Sequence, residues 1–150
     1  MTSQAASGIP GRISRSFPCV EATVEDCRLT VHALLDPLGI DERALGRIDV
    51  VLEELVSNVV RHSRRASVIL LAAAWAAGEL ELEISDDGEP FDPVAAPDPA
   101  PFTELEEARL GGLGIHLVRR LATTLDYARI AGAPRDRNRV RVTLPAPPIG

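Results

Sequence analysis

Lysine is missing altogether: all sixteen basic residues of this 150-residue chain are arginines. A Walker-A phosphate loop, a protein kinase built around a strand lysine, and Schiff-base chemistry each need a lysine amine, so all three are excluded. Aromatic residues make up only 3% of the chain, there are two cysteines, and Met1 is the sole methionine. Cys19 and Cys27 lack a second pair and His32, His62 and His116 are scattered, which leaves zinc without a tetrahedral donor set. The thiols are expected to be reduced. A net charge of −6 argues against direct binding of nucleic acid. The longest apolar run, Val68 to Ala77, falls far short of the roughly 20 residues of a membrane span, and Met1 to Pro10 lacks the basic-then-apolar order of a secretion signal. A cytoplasmic protein, not held in a membrane, is expected.

What remains is a chain with 45% apolar positions, long enough for one domain with its own core. Residues 1–11 read as a flexible leader. Ile13, Arg15 and Phe17 alternate before Pro18 and predict a short edge strand. Apolar positions from Val24 to Leu38 recur at helical spacing until Pro37 and Gly39 end the pattern. A stronger helix follows Asp41, with Leu45, Ile48, Leu52, Leu55, Val56 and Val59 in one stripe that ends near His62. Ser67 to Trp75, the turn at Gly78, and the alternation of Leu80, Leu82 and Ile84 with Glu79, Glu81 and Glu83 predict a hairpin with one wet face. Five of the twelve prolines fall between Pro90 and Pro101, which requires a loop. Leu113 to Asp126 reads as a third helix with Val118, Leu121 and Leu125 inward, and a second hairpin over Tyr127–Ile130 and Arg139–Leu144 closes the domain, leaving 146–150 as a loose tail. Hairpins with helices between them favour an α+β two-layer sandwich, a mostly antiparallel sheet with its helices on one face.

Three groupings carry chemistry. Glu54, Asn58 and His62 are spaced four apart along one flank of the second helix, with Glu53 on the other. An amide oxygen at Asn58 suits a magnesium ion otherwise held by phosphate and water, and Glu54 could take a proton from an attacking hydroxyl; ordinary solvated side chains are the plainer alternative. In Ser85-Asp86-Asp87-Gly88-Glu89-Pro90, Asp86 shares the buried register of Leu80, Leu82 and Ile84, whereas Asp87 shares that of the glutamates. A core-facing carboxylate must be paired or await a ligand such as an exocyclic amine, and Gly88 would let backbone approach a ring; a local cap of the turn is the alternative. Gly111-Gly112-Leu113-Gly114 opens the third helix, where converging backbone N–H groups can hold an anion. Arg135, Arg137, Arg139 and Arg141 have period two and are placed on one strand face, either solvated or open to an acidic partner.

The order of these groupings resembles the GHKL superfamily of ATP-binding domains, with its N, G1 and G2 boxes, and "LEELVSNVVRHS", "DDGEPFDP" and "GGLGIHLVRRL" look most like the bacterial anti-sigma-factor serine kinases. The resemblance implies a Bergerat-type ATP-binding fold over residues 12–145 and Mg²⁺-ATP as ligand. It implies Glu54 as general base, Asn58 as magnesium ligand, Asp86 as the reader of adenine with Gly88 behind it, and Gly112 and Gly114 over the triphosphate. Residues 92–110 would be a lid. It further implies a homodimer that sequesters a sigma factor and phosphorylates a serine on a STAS-type anti-anti-sigma protein. Asn138 departs from the pattern, standing where other members often carry a Thr. A nucleotide-gated binding module without kinase activity is the alternative reading.

Overall fold

The computed structural model describes residues 11–95 and 114–150. Their elements run β1 (Arg12–Pro18), α1 (Thr23–Leu35), α2 (Glu42–His62), β2 (Val68–Ala76), β3 (Glu79–Asp86), α3 (Gly114–Leu121), β4 (Thr124–Ile130) and β5 (Arg137–Pro145). This is the expected alternation of strand, helices, hairpin, helix and hairpin. The strands form one five-stranded sheet in the order β1-β2-β3-β5-β4, and each neighbouring pair is antiparallel. The fold is the expected α+β sandwich.

Side-chain alternation decides the layers. Leu80, Leu82 and Ile84 are buried while Glu79 and Glu81 are exposed. Register continues the buried rows across the sheet, with Leu82 opposite Ala73 on β2 and Val142 on β5. These rows meet the stripe of α2, where Ile48, Leu52 and Val56 are fully enclosed. Each such side chain contributes about 1.5–3 kcal/mol on burial.

Local chemistry sets the boundaries. Asp41 caps α2 by accepting from Ala44 N–H at 3.2 Å, an arrangement worth about 1 kcal/mol. Gly39, with φ of 65°, ends the turn that follows α1. The β2–β3 hairpin closes through Ala77 and Gly78, both left-handed with φ of 51° and 81°, as the twist of a two-residue turn demands.

Three expectations need correction. The third helix stops at Leu121 and does not run to Asp126. Ala122 N–H still bonds the Val118 carbonyl at 2.9 Å, but Thr123 N–H turns to Thr143 at 2.7 Å and the chain becomes β4. Leu125 therefore packs, partly buried, against the core from a strand, opposite Val142. Only Arg137, Arg139 and Arg141 share a face of β5; Arg135 lies in the preceding loop and donates to the carbonyls of Arg65 and Asp87. The tail is not loose. Ala146 is buried and bonded to Gly78, Asp41 N–H bonds the Pro147 carbonyl, and Ile149 N–H bonds that of Gly39. Among the described residues, no helix is long and apolar enough to cross a membrane.

Candidate functional site

The C-terminal half of α2 supplies the first wall. Its hydrophobic stripe faces the sheet, so the neighbouring flank is drawn partly inward: Glu53 is exposed, Glu54 partly buried, and Asn58 only 5% exposed. Glu54 Oε2 is enclosed and has no hydrogen-bond partner among the described residues. Burial pushes the Glu54 carboxyl above its ordinary range; Arg61 opposes that shift and Glu53 adds to it. The Asn58 amide makes no side-chain hydrogen bond among the described residues. A fold gains nothing from enclosing an unpaired carboxylate oxygen, and one turn away the amide of the mostly buried Asn58 stands unbonded among the described residues. Both are groups that a hydroxyl donor and a hard cation would satisfy.

The end of β3 supplies the second wall. Asp86 is buried at 2% exposure, as its parity predicts. Its Oδ1 accepts from the Ser63 hydroxyl at 2.6 Å, Gly88 N–H at 2.9 Å and Asn138 Nδ2 at 3.1 Å. The local cap foreseen as the alternative is therefore present through Gly88, yet it uses one oxygen, and Oδ2 takes none of these bonds. Asp87 points away and accepts from the Ser67 hydroxyl at 2.6 Å and from Ser67 and Val68 N–H at 2.7 and 3.1 Å. Although burial alone would raise it, these donors hold its carboxyl below the usual range.

Ser63 joins the two walls. It caps α2, with its N–H on the Val59 carbonyl at 3.0 Å, and sits five residues after Asn58. Gly88 packs against it so closely that a Cβ would come within 2.3 Å of Ser63 Oγ and 2.7 Å of the Arg64 carbonyl. The need for glycine at 88 is thus met within the protein. The segment leaving β3 continues over the same end of α2, where the His62 and Phe91 rings lie 5.9 Å apart. His62 stays exposed with its ring tilted against Phe91, while Glu54 and Asn58 lie in the more enclosed part of the line.

Gly114 starts α3, which buries Ile115 and Val118 and packs against α2. Gly112 and residues 96–110 of the expected lid lie outside the described residues. Of the lid only its first part is seen, with Pro93–Ala95 in a short turn whose Val94 carbonyl accepts from Arg119 on α3. The structure thus ties Asp86 and Gly88 to the C-terminal end of α2 through Ser63, with Asn58 five residues and Glu54 nine residues before Ser63 on the same helix, and α3 packs against α2.

Ser63 and Asn138 are site residues that sequence reasoning did not assign. Asn138 is 2% exposed and bonds Asp86, Glu89, Phe91, Tyr127 and Arg129. The departure at Asn138 is visible from the resemblance, but neither it nor a serine at a helix end shows its partners until the strands and helix are in register.

Known proteins resemble the chain along nearly its whole length. Residues 17–144 match the family model described as Histidine kinase-like ATPase domain. The chain is 29% identical over 105 residues to the Serine/threonine-protein kinase BtrW of Bordetella bronchiseptica, an alignment that covers 65% of this chain and 74% of that protein. The crystal structure of the RsbU and RsbW domains of Rv1364c from Mycobacterium tuberculosis superposes with a TM-score of 0.56 at 16% identity. That match covers 93% of this chain but about a third, 34%, of the solved one, and it bears on the fold alone.

Proposed function

Because this chain belongs to the family of histidine kinase-like ATPase domains, we propose that it is an ATP-dependent protein serine kinase of the anti-sigma type. The observation that carries the reading is the enclosed Oε2 of Glu54, unpartnered among the described residues and one helical turn from the buried residue Asn58. The proposed nucleotide domain spans 12–145, with 92–110 as its lid.

In this reading Asp86 Oδ2 accepts from the exocyclic amine of adenine, Oδ1 being held by the protein. Asn58 offers its amide oxygen to magnesium, and Gly112 and Gly114 bring backbone N–H groups to the phosphates. A bound magnesium ion would neutralise charge on the phosphate oxygens. Glu54 takes the proton of the partner's serine hydroxyl as that oxygen bonds the γ-phosphorus and the bridging bond to ADP breaks. Desolvation favours this role, since a carboxylate with a raised pKa is a stronger base. BtrW is named a serine/threonine kinase, which supports transfer to a hydroxyl. In this reading, as the motif resemblance implies, the partners are a STAS-type anti-anti-sigma protein, which is phosphorylated, and a sigma factor, which is sequestered by a homodimer in the cytoplasm.

The test is incubation of purified protein with γ-labelled ATP, magnesium and a candidate STAS-type partner. Phosphoserine on the partner is expected. Saturation at 100 times the dissociation constant should also stabilise the fold by about 2.7 kcal/mol. Stabilisation without phosphoserine would favour the nucleotide-gated binding module; no stabilisation by Mg-ATP would retire the ATP site.

A further inference from the structure

Asp86 and Asn138 stand directly opposite each other on β3 and β5, on the core side of the sheet and both nearly inaccessible. The Asn138 amide is saturated. Its Nδ2 donates to Asp86 Oδ1 at 3.1 Å and to the Glu89 carbonyl at 2.8 Å. Its Oδ1 accepts from Phe91 N–H at 3.0 Å, the Tyr127 hydroxyl at 2.7 Å and Arg129 Nη1 at 3.0 Å. A carboxylate and a carbonyl can only accept, and a backbone N–H and a guanidinium can only donate, so these partners fix which way the amide points. The same Arg129 nitrogen also holds the Gly88 carbonyl at 2.8 Å. One side chain therefore grips the carboxylate at the end of β3 and two points of the backbone that follows it.

We propose that Asn138 is a positioning residue, which turns the Asp86 carboxylate so that Oδ2 faces the nucleotide and locks that orientation to the backbone of residues 88–91. The proposal rests on the ATP reading above. Asn138 touches no nucleotide in it and acts only through Asp86 and the segment. Three donors on Oδ1 leave the carboxylate no freedom to rotate, and without Asn138 two remain, both from the α2 side and the turn itself. Adenine selectivity and the placement of the segment root thereby depend on the same amide.

The test uses Asn138→Asp and Asn138→Thr in the full chain. Asparagine to aspartate keeps shape and the accepting oxygen but replaces both donors by an acceptor that repels Asp86 and the Glu89 carbonyl. Threonine leaves one hydroxyl donor for Asp86 and removes the amide oxygen from Phe91. Affinities for Mg-ATP and Mg-GTP are measured by calorimetry, folding by thermal melts, and amide hydrogen exchange at Phe91 by NMR without nucleotide. Asn138→Asp is expected to lower ATP affinity at least about tenfold, what one hydrogen bond to a charged group is worth, and to erase most of the preference over GTP. Asn138→Thr is expected to retain the preference while Phe91 exchange accelerates. A general structural role would lower the melting temperature and leave the ATP-to-GTP ratio alone. A folded Asn138→Asp variant with the wild-type ratio overturns the positioning role while the ATP reading stands. Should that variant fail to fold, unchanged Phe91 exchange in Asn138→Thr overturns it instead. Wild-type protein that binds neither nucleotide overturns the ATP reading and this proposal with it.

Discussion

Burial raises both Glu54 on α2 and Asp87 at the exit of β3, yet they shift in opposite directions, because Asp87 has donors and, among the described residues, Glu54 Oε2 has none. Glu54 is desolvated without a partner on Oε2 and its pKa rises. A raised folded pKa means that folding favours the protonated form: this stabilisation is complete below the unfolded value of about 4.3 and is lost as pH climbs through the folded one. Glu54→Gln should therefore melt higher than wild type at neutral pH, with the difference closing in acid. It should bind ATP normally and lose phosphoryl transfer by about 10²–10⁴-fold; transfer at the wild-type rate in a γ-labelled ATP assay would remove Glu54 from the mechanism. Asp87 behaves conversely. Burial pushes it up, but the Ser67 hydroxyl and the Ser67 and Val68 amides outweigh that. Its contribution is present above the unfolded value of about 3.9 and vanishes as pH falls through the lowered folded one. Asp87→Asn should cost about 1–2 kcal/mol at pH 7 and little in strong acid, read from urea titrations at both pH values. Period-two parity alone distinguished Asp86 from Asp87 in the sequence. It could not reveal that Asp86 meets Ser63, 23 positions away, or Asn138, 52 positions away, because such pairings exist only once strands and helix are in register.

At the scale of elements, the junction between α2 and the β3 exit is what holds the candidate site together, and Gly88 is its tightest point. A Cβ there would overlap the Ser63 hydroxyl and the Arg64 carbonyl, of which only the first can swing aside. If Ser63 does swing, Asp86 loses its shortest hydrogen bond. Gly88→Ala should thus cost about 1–3 kcal/mol, the range for overpacking, and weaken ATP binding as well, with denaturant titration and calorimetry as the two readouts. Loss of stability with full ATP affinity would separate the junction from the site. Helix α2 was legible to within a residue or two because its stripe, its Asp41 cap and its length agree. The third helix was not, since Val118, Leu121 and Leu125 keep helical spacing across a break that only strand pairing creates. Thr123 and Thr124 were the available signal: β-branched residues favour the pleated surface on which Thr124 is found.

For the molecule as a whole, the two layers and the order of elements could be read from periodicity, because burial on one face imposes it everywhere. The ends could not. Residues 146–150 carry one large apolar side chain and two prolines, a composition that signals a loose tail, yet their backbone is used. The Trp75 indole donates to the Ala146 carbonyl at 2.9 Å, Ala146 N–H to Gly78 at 2.7 Å, Asp41 N–H to Pro147 at 2.9 Å and Ile149 N–H to Gly39 at 2.8 Å. These bonds clasp the β2–β3 turn and the start of α2 from one side. The clasp lies at the N-terminal end of α2, whereas Asn58 and Ser63 lie at its C-terminal end, so the two should be separable. Cutting the chain after Pro145 removes all of these contacts together with the buried methyl of Ala146. At about 0.5–1.5 kcal/mol for each of the four hydrogen bonds, the loss should come to roughly 2–6 kcal/mol. Trp75 is the only tryptophan, so its emission should shift to the red as its ring gains water, reporting the release directly. ATP affinity below the melting transition should stay within about twofold, as expected for changes with no shared partners. An unshifted emission and an unchanged midpoint would show that the clasp contributes nothing to the fold in solution, and a collapse of ATP affinity in the still-folded chain would show that the two ends of α2 are coupled through its core.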